Sequence, residues 1–315
     1  MRVMIPVLAM MTATAAMAEV RTASTQAPSP SEAAESVTVT ATPLPKRDAV
    51  DEFIYSYPTA VRTTEKIARW RRGICPKVFG LPPRFAAFVT TRLTAIARNV
   101  GAPVDSDPKC RQNIEIVFTS MPQTLADDLR KNRYPYLGYF DNFRQADRLA
   151  TVTHDIQAWY LTATVGQNGD VRVDNPRKDF LSGADGYIDG ILGGHNVYYQ
   201  TGTTSRYNSG PGSTLYNVII VADPSKLGNY DMGSLADYIA MLALSQPKSF
   251  DACWEVPSIT NLLSRECTPE RKTATISDND TRFLYGLYRM TTSDSVFQQR
   301  NQIRYFMEHR TAENR

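Results

Sequence analysis

The 315-residue chain contains only three His and four Cys, and its charges nearly balance. Three histidines leave little material for a metal site built from imidazoles. With 35 Lys+Arg against 32 Asp+Glu the formal net charge is +3, which argues against a protein that coats nucleic acid. Because 42% of the residues are hydrophobic and 10% are aromatic, the chain can bury a substantial core, and this excludes a mostly disordered protein.

No apolar run after the first 18 residues has the roughly 20 residues that a membrane span requires. The N-terminus itself carries Arg2, an apolar run over residues 3–16 and a small-x-small tripeptide that ends at Ala18. This pattern is typical of a signal peptide. The sequence therefore predicts cleavage near Ala18 and a mature protein that begins at Glu19, is periplasmic or secreted, and has no transmembrane segment.

In an oxidising compartment, four Cys predict two disulfides, for which three pairings are possible. Cys75 begins an apolar stretch and Cys110 precedes a strand-like stretch, with an amphipathic segment between them. If these stretches are parallel neighbours in a strand-helix-strand unit, their first residues lie about 5 Å apart. We therefore predict a Cys75–Cys110 bridge, which leaves Cys253 and Cys267 to close a second, short loop.

The segment 19–50 is rich in Ala, Ser, Thr and Pro and predicts a disordered tail, because it has too few large apolar side chains to offset its ordering entropy. A single globular domain is expected over residues 51–315. Within the tail, the stretch ESVTVTA at 35–41 resembles the TonB box of TonB-dependent receptors, which adds a strand to a partner's sheet edge. The resemblance implies a TonB-type partner contacted through Glu35, Val37, Val39 and Ala41, although a plain Thr/Val-rich linker explains the same residues.

Hydrophobic periodicity in the globular part predicts an α+β fold. Strands are expected at 74–81, 113–119, 156–165, 171–173 and 215–222, and helices at 83–100, 122–131, 233–245, 280–288 and 293–309. In the first helix an apolar stripe runs from Phe85 through Phe88 to Val100, whereas Arg84, Arg92 and Arg98 lie off it and predict a solvated face. Residues 183–212 hold eight of the 17 Gly and predict a loop-rich insert.

Two segments carry a resemblance to a known family. The sequence SLADYIAMLALSQ at 234–246 is similar in pattern and placement to the helix and turn that carry HExxHxxGxxH in matrixin-like metallopeptidases of the zincin type. The sequence ISDNDTRFLYGLY at 276–288 resembles the closing helix of those enzymes. The chain also resembles uncharacterised exported proteins of proteobacteria. Over about residues 65–290, the resemblance implies a zincin-like mixed sheet with amphipathic helices, a central helix near 233–245 and C-terminal helices.

In this alignment the three zinc-ligand positions hold Ala236, Ala240 and Gln246, and the general-base position holds Asp237. A methyl group has no lone pair to offer zinc, and a carboxylate without a metal-bound water has nothing acidic to activate. The resemblance therefore implies a scaffold without metal, cofactor or peptidase activity. An ordinary amphipathic helix, in which small Ala residues allow close packing, accounts for the same segment equally well.

Aromatic side chains in or beside loops are the remaining candidates for a binding surface. They are Tyr134, Tyr136, Tyr139, Trp159, Tyr198 and Tyr199, and the resemblance adds Asp237 and Gln246 beside a groove along the central helix. Rings with a polar tip suit recognition of peptides or sugars, although tyrosines also occur in cores. We therefore expect a non-catalytic periplasmic binding or interaction module for a peptide, a glycan or an envelope protein. The alternative is a peptide or cell-wall hydrolase that uses His154 or His195.

Overall fold

A computed structural model of the chain describes residues 46–166, 168–174 and 210–309, which all belong to one compact unit. The predicted signal peptide, the segment 35–41, most of the Gly-rich insert, and the candidates Tyr198, Tyr199 and His195 lie outside these residues. None of the described helices combines the length and apolarity needed to cross a membrane.

Within the described residues the chain forms seven α-helices and seven strands. The helices are α1 (Arg47–Ser56), α2 (Pro83–Val100), α3 (Pro122–Asn132), α4 (Phe143–Leu149), α5 (Met232–Leu244), α6 (Asp278–Arg289) and α7 (Val296–His309). The strands are β1 (Ala60–Val61), β2 (Lys66–Ile67), β3 (Pro76–Phe79), β4 (Ile114–Phe118), β5 (Ile156–Val165), β6 (Val171–Val173) and β7 (Gly212–Ala222).

Five of the strands form one mixed sheet in the order β3-β4-β7-β5-β6. Strands β3, β4 and β7 run parallel, whereas β5 is antiparallel to both β7 and β6. The short strands β1 and β2 pair with each other in a separate ladder. The predicted mixture of helices and strands around a mixed sheet is therefore confirmed.

The two predicted disulfides are present. Strands β3 and β4 are parallel neighbours with Pro76 opposite Ile114, and the Cα atoms of Cys75 and Cys110 lie 6.0 Å apart. The second bridge joins Cys253 to Cys267, with 5.0 Å between the Cα atoms. The strand-helix-strand geometry inferred from the sequence thus accounts for the first pairing.

Helix α2 begins and ends where the sequence predicts, and Gly101 after its last residue has a φ of +79°. The inner part of its stripe is buried: Val89, Leu93, Ile96, Ala97 and Val100. Phe88, however, is 44% exposed. An 18-residue helix is roughly 27 Å long, whereas strands of four or five residues are roughly 13–17 Å long. The first turns of α2 therefore extend beyond the strands that they connect.

Helix α5 lies inside the main core, and its residues from Ser234 to Leu244 are all buried. Its last carbonyl groups would lack partners in such an environment. Aromatic donors supply them: Tyr160 Oη lies 3.0 Å from the oxygen of Leu242, Trp70 Nε1 2.7 Å from that of Ala243, and Tyr288 Oη 2.8 Å from that of Leu244. Three separate parts of the chain thus fix the end of this helix.

The opposite face of the sheet carries a smaller apolar cluster. Ala126 and Leu129 of α3 and Leu137 of the 3₁₀ helix Tyr134–Leu137 pack there against Trp159, Ile219 and Val221. Tyr136 is partly buried at the margin of this cluster. This margin is where the candidate site begins.

Some boundaries differ from the sequence-based prediction. Helix α1 begins at Arg47 and buries Ala49 and Val50, so the last residues assigned to the tail form part of a helix. Strand β7 begins at Gly212, within the stretch expected to be a loop. Helix α4, which was not predicted, has only seven residues and begins with Asn142 as its N-cap, whose side chain accepts a hydrogen bond from Gln145 N.

Candidate binding cleft

A cleft of about 410 Å³ lies where β4 begins and where β7 changes register. Five short segments line it: Trp70 and Arg72 after β2, residues 110–113 with Glu115, Tyr136 of the 3₁₀ helix, Val171 of β6, and residues 214–217 of β7. The lining therefore combines aromatic rings, both signs of charge and side-chain amides.

One wall of the cleft is fixed by covalent and hydrogen bonds. The Cys75–Cys110 bridge ties the loop before β4 to the start of β3. The side chain of Asn113 accepts a hydrogen bond from Cys75 N at 2.7 Å and donates one to the Gly73 oxygen at 2.9 Å. Asn113 therefore holds this wall in place and uses its amide for that purpose.

The neighbouring wall contains a β-bulge. Leu161 of β5 is opposite Asn217, and Thr162 is opposite Leu215, so Tyr216 is the extra residue of β7. A bulge bends a strand and changes where its side chains point. The Arg72 guanidinium lies 5.7 Å from the centre of the Tyr216 ring, so this cation and this ring lie close together at the cleft.

Tyr136 is positioned by the glycine that follows the 3₁₀ helix. Gly138 has a φ of +91°, and a Cβ atom there would lie 2.7 Å from the Tyr160 oxygen, so a larger residue would be strained. Burial raises the pKa of Tyr136, Glu115 raises it further, and Arg111 opposes this. The phenol is therefore protonated at neutral pH and available as a hydrogen-bond donor.

Asn217 is the most informative side chain of the lining. Only 6% of the residue is exposed, and its Oδ1 atom is buried without a hydrogen-bond partner among the described residues. Leaving a buried acceptor unpaired costs about 1–3 kcal/mol. Most buried polar atoms in folded proteins do have a partner. An acceptor of this kind in the lining of a cleft is suited to a donor supplied by a ligand.

The charged side chains of the cleft also retain binding capacity. Across the described part of the chain, Arg72, Arg111 and Glu115 take part in no salt bridge. Guanidinium groups bind carboxylates and phosphates with two parallel hydrogen bonds. The arrangement is thus suited to hold a polar ligand with an anionic group.

Of the described aromatic candidates, Tyr136 is in the lining and the other three have different environments. The Tyr134 ring packs edge-on against Phe140, with 6.1 Å between the ring centres, and the Arg62 guanidinium lies 5.7 Å from the Tyr139 ring centre. Trp159 is buried and donates to the Leu149 oxygen at 2.7 Å. Of these four rings, Tyr136 is the one that lines the cleft.

Asp237 lies in the core, and both of its carboxylate oxygens accept hydrogen bonds. Arg92 Nε is 2.5 Å from its Oδ1, Arg92 Nη2 is 2.8 Å from its Oδ2, and the Ile276 backbone nitrogen also donates to Oδ2 at 2.8 Å. Arg92, which we expected on a solvated face, instead connects α2 to α5. The carboxylate therefore joins α2, α5 and the segment that precedes α6.

Two of the three positions aligned with zinc ligands lie inside the core. Ala236 and Ala240 are completely buried in α5. Gln246 is half-buried, and its side-chain Oε1 has no partner in the described part of the chain. Its backbone oxygen accepts a hydrogen bond from Thr59 N at 2.9 Å. Among residues 46–166, 168–174 and 210–309, no three His, Cys, Asp or Glu side chains form a group that could hold a metal ion.

His154 forms a separate polar cluster. Its Nε2 is 2.9 Å from Asp251 Oδ2, and its Nδ1 is 2.8 Å from Thr153 Oγ1. Asp155, the next residue in the chain, faces Lys226 and Arg265 at 3.8 Å each. His154 therefore has a carboxylate partner that the sequence did not indicate.

Sequence reasoning missed most of the cleft. It did not select Arg111, Glu115, Tyr216 or Asn217 as binding residues. One usable signal was the single amide within the otherwise apolar stretch LYNVIIVA at 215–222. A polar residue in the interior of such a strand requires either a partner or a ligand.

Comparison with known proteins adds no relative, since no family model, curated protein or solved structure matches the chain. The zincin-like relationship therefore stays a prediction.

Proposed function

We propose that this chain is a non-catalytic binding module of the cell envelope and that its ligand occupies the cleft around Asn217. The unpartnered, buried Oδ1 of Asn217 is the observation that carries the proposal. Tyr136 and Tyr216 add ring surface beside it, and Arg72 and Arg111 add cationic groups that form no ion pair in the described part of the chain. Together these side chains provide complementary contacts for a ligand that has both apolar and polar parts.

Two features support the location in the envelope. The chain forms two disulfides, which persist in oxidising compartments such as the periplasm. The sequence also predicts a signal peptide that ends near Ala18. The proposal does not depend on the zincin-like resemblance, because the residues that line the cleft do not include the aligned positions of helix α5.

The proposal is tested by titrating protein labelled with ¹³C-tyrosine with short peptides, cell-wall muropeptides and neutral and acidic sugars. Ring signals of Tyr136 and Tyr216 are assigned with Tyr→Phe variants. We expect at least one ligand class to shift both signals, and Asn217→Leu to weaken that binding at least 10-fold. Mass spectrometry of the same samples should detect no cleavage product.

The matched control is Tyr305→Phe, because Tyr305 is an exposed tyrosine on α7, remote in sequence from the cleft lining. Its removal should leave every titration unchanged. The proposal fails if no ligand shifts the two cleft signals, if binding shifts other tyrosines only, or if ligands are cleaved.

One observation favours a second function, a hydrolase centred on His154. The Thr153 hydroxyl, the imidazole and the Asp251 carboxylate form a continuous hydrogen-bonded chain. With Nε2–H donated to Asp251, the imidazole can accept the Thr153 proton at Nδ1, as a general base does for a nucleophile. In this case wild-type protein would release products from peptides or muropeptides, and Thr153→Ala and His154→Gln would abolish their release.

A further inference from the structure

We propose that the cleft binds a short peptide through its free carboxylate, with Arg72 and Arg111 as the anion-binding groups and Asn217 Oδ1 as the acceptor for a peptide N–H. This inference rests on the proposed function, because it names the class of ligand that the same cleft takes. The two arginines fit an anionic group, whereas the unpartnered acceptor fits a hydrogen-bond donor. A ligand that carries both groups would therefore match the lining.

The arginines of the cleft fit an anionic group on the ligand. Arg72 and Arg111 line the cleft, and neither is neutralised by a salt bridge within the described ranges. Glu115 is the acidic side chain of the lining, so the two cations exceed it by one charge. Because guanidinium groups pair with carboxylates through parallel hydrogen bonds, a ligand carboxylate would fit this side.

The acceptor atoms of the cleft fit hydrogen-bond donors on the ligand. Asn217 Oδ1 is a buried acceptor without a partner, and Glu115 offers further acceptor oxygens. An inorganic anion such as sulfate brings no donor for either group. A peptide carries N–H groups within a few bonds of its terminal carboxylate, so it supplies both the anion and the donors.

Size and shape are consistent with a short chain. A volume of about 410 Å³ falls in the range of small-molecule sites, about 300–1,000 Å³. The rings of Tyr136 and Tyr216 offer apolar surface for the side chains or backbone of two or three residues. The cleft therefore suits the end of a peptide.

The test compares N-acetyl-trialanine with its C-terminal amide, two ligands that differ only in the carboxylate. Each is titrated into the full chain while the Tyr136 and Tyr216 ring signals are followed. We expect the acid to bind at least 10-fold more tightly than the amide. Arg72→Gln and Arg111→Gln should each weaken binding of the acid about 10-fold and leave binding of the amide nearly unchanged, and Asn217→Leu should weaken both ligands.

The control variant is Arg98→Gln, since Arg98 is exposed on α2 and does not line the cleft. It should bind the acid as the wild type does. Circular dichroism and thermal unfolding of each variant establish that it is folded before its affinity is compared.

Three outcomes overturn the inference, and they separate it from the proposed function. Equal affinity of acid and amide at the cleft removes the carboxylate claim but leaves a binding cleft. Binding of glucuronic acid at the cleft, without either tripeptide, replaces the peptide with an acidic sugar and also leaves a binding cleft. If neither the tripeptides nor any muropeptide or sugar shifts the cleft signals, both proposals fail.

Discussion

Two buried asparagines show how differently the chain treats polar groups in its core and in the cleft. Asn261 accepts a hydrogen bond from Trp254 N at 2.9 Å and donates to the oxygens of Trp254 and Arg271, each at 3.0 Å. Asn217 is buried to nearly the same degree, yet its Oδ1 atom has no partner in the described part of the chain. Burial alone therefore does not distinguish the two residues, whereas hydrogen bonding does.

Hydrogen bonding therefore separates polar residues that hold the core together from polar residues that are suited to bind a ligand. Asn261, like Asp237, is surrounded by protein donors and acceptors and holds segments of the core together. Asn217 reduces folding stability unless something else supplies a donor, because its acceptor is desolvated without compensation. An unsatisfied atom at a cleft is therefore better evidence of ligand binding than the presence of aromatic residues in loops.

The largest effect is expected for Asn261→Leu. The substitution leaves the Trp254 N–H and the carbonyl groups of Trp254 and Arg271 without their partner. Each unpaired buried group costs about 1–3 kcal/mol, so we expect a loss of about 3–5 kcal/mol in the free energy of unfolding. Urea denaturation measures it, and a loss below about 1 kcal/mol would contradict the structural role of Asn261.

A smaller loss is expected for Arg92→Met. Asp237 is completely buried, whereas Arg92 is 40% exposed, so the substitution leaves a buried carboxylate with only the Ile276 N–H. Breaking such a pair costs about 3 kcal/mol. Combining Arg92→Met with Asp237→Leu removes both charges and should recover most of the loss. Arg98→Met on the same helix is the control and should change stability by less than about 0.5 kcal/mol. If Arg92→Met is as stable as the control Arg98→Met, the ion pair between Arg92 and Asp237 has no structural role.

Much of the fold was predictable because local patterns and packing agree. Strand β5 spans the residues that its hydrophobic run predicts, and α2 begins at Pro83 and ends before Gly101. The Cys75–Cys110 pairing followed from the same strand-helix-strand unit. Helix α1 was missed because only Val50, Phe53 and Ile54 give it a clear apolar face, and its first residues resemble the tail in composition.

The site could not be predicted to the same extent because it depends on contacts between distant parts of the chain. Glu115 and Tyr216 are about 100 residues apart and line one cleft only because β4 and β7 are neighbours. Periodicity placed Arg92 off the apolar stripe of α2, but it cannot reveal that a carboxylate on another helix lies within reach. Asn217 is the single amide of the stretch LYNVIIVA, yet whether its side chain has a partner is a property of the folded chain.

A pH-dependent effect is expected from Asp280, which Asp280→Asn tests. Burial raises the pKa of this carboxyl, although hydrogen bonds from Ser258, Ile259 and Ser277 oppose the shift. A raised pKa in the folded state means that folding favours the protonated form. The contribution of Asp280 to stability is therefore greatest below the ordinary pKa of an Asp side chain, about 3.9, and is lost as the pH rises through the higher folded-state value. The stability of the wild type relative to the variant should therefore fall between pH 4 and 7 in urea titrations. A difference that rises over this range would contradict the assigned direction.

The smallest effect on stability, and the sharpest test of the comparison, is expected for Asn217→Leu. Leucine has a similar size and introduces no unpaired acceptor, so the free energy of unfolding should change by less than about 1 kcal/mol or increase. Binding at the cleft should nevertheless weaken at least 10-fold. Asn261→Leu, the same substitution at an asparagine whose side-chain amide is hydrogen-bonded, should destabilise the protein strongly. It should not change the ligand affinity of the fraction that folds.

If Asn217→Leu proves as destabilising as Asn261→Leu, the Oδ1 atom has a structural partner and the proposed binding cleft loses its main support. If both stability and binding are unchanged, the ligand contacts other side chains. Only the combination of preserved stability with weakened binding assigns the unsatisfied acceptor to a ligand.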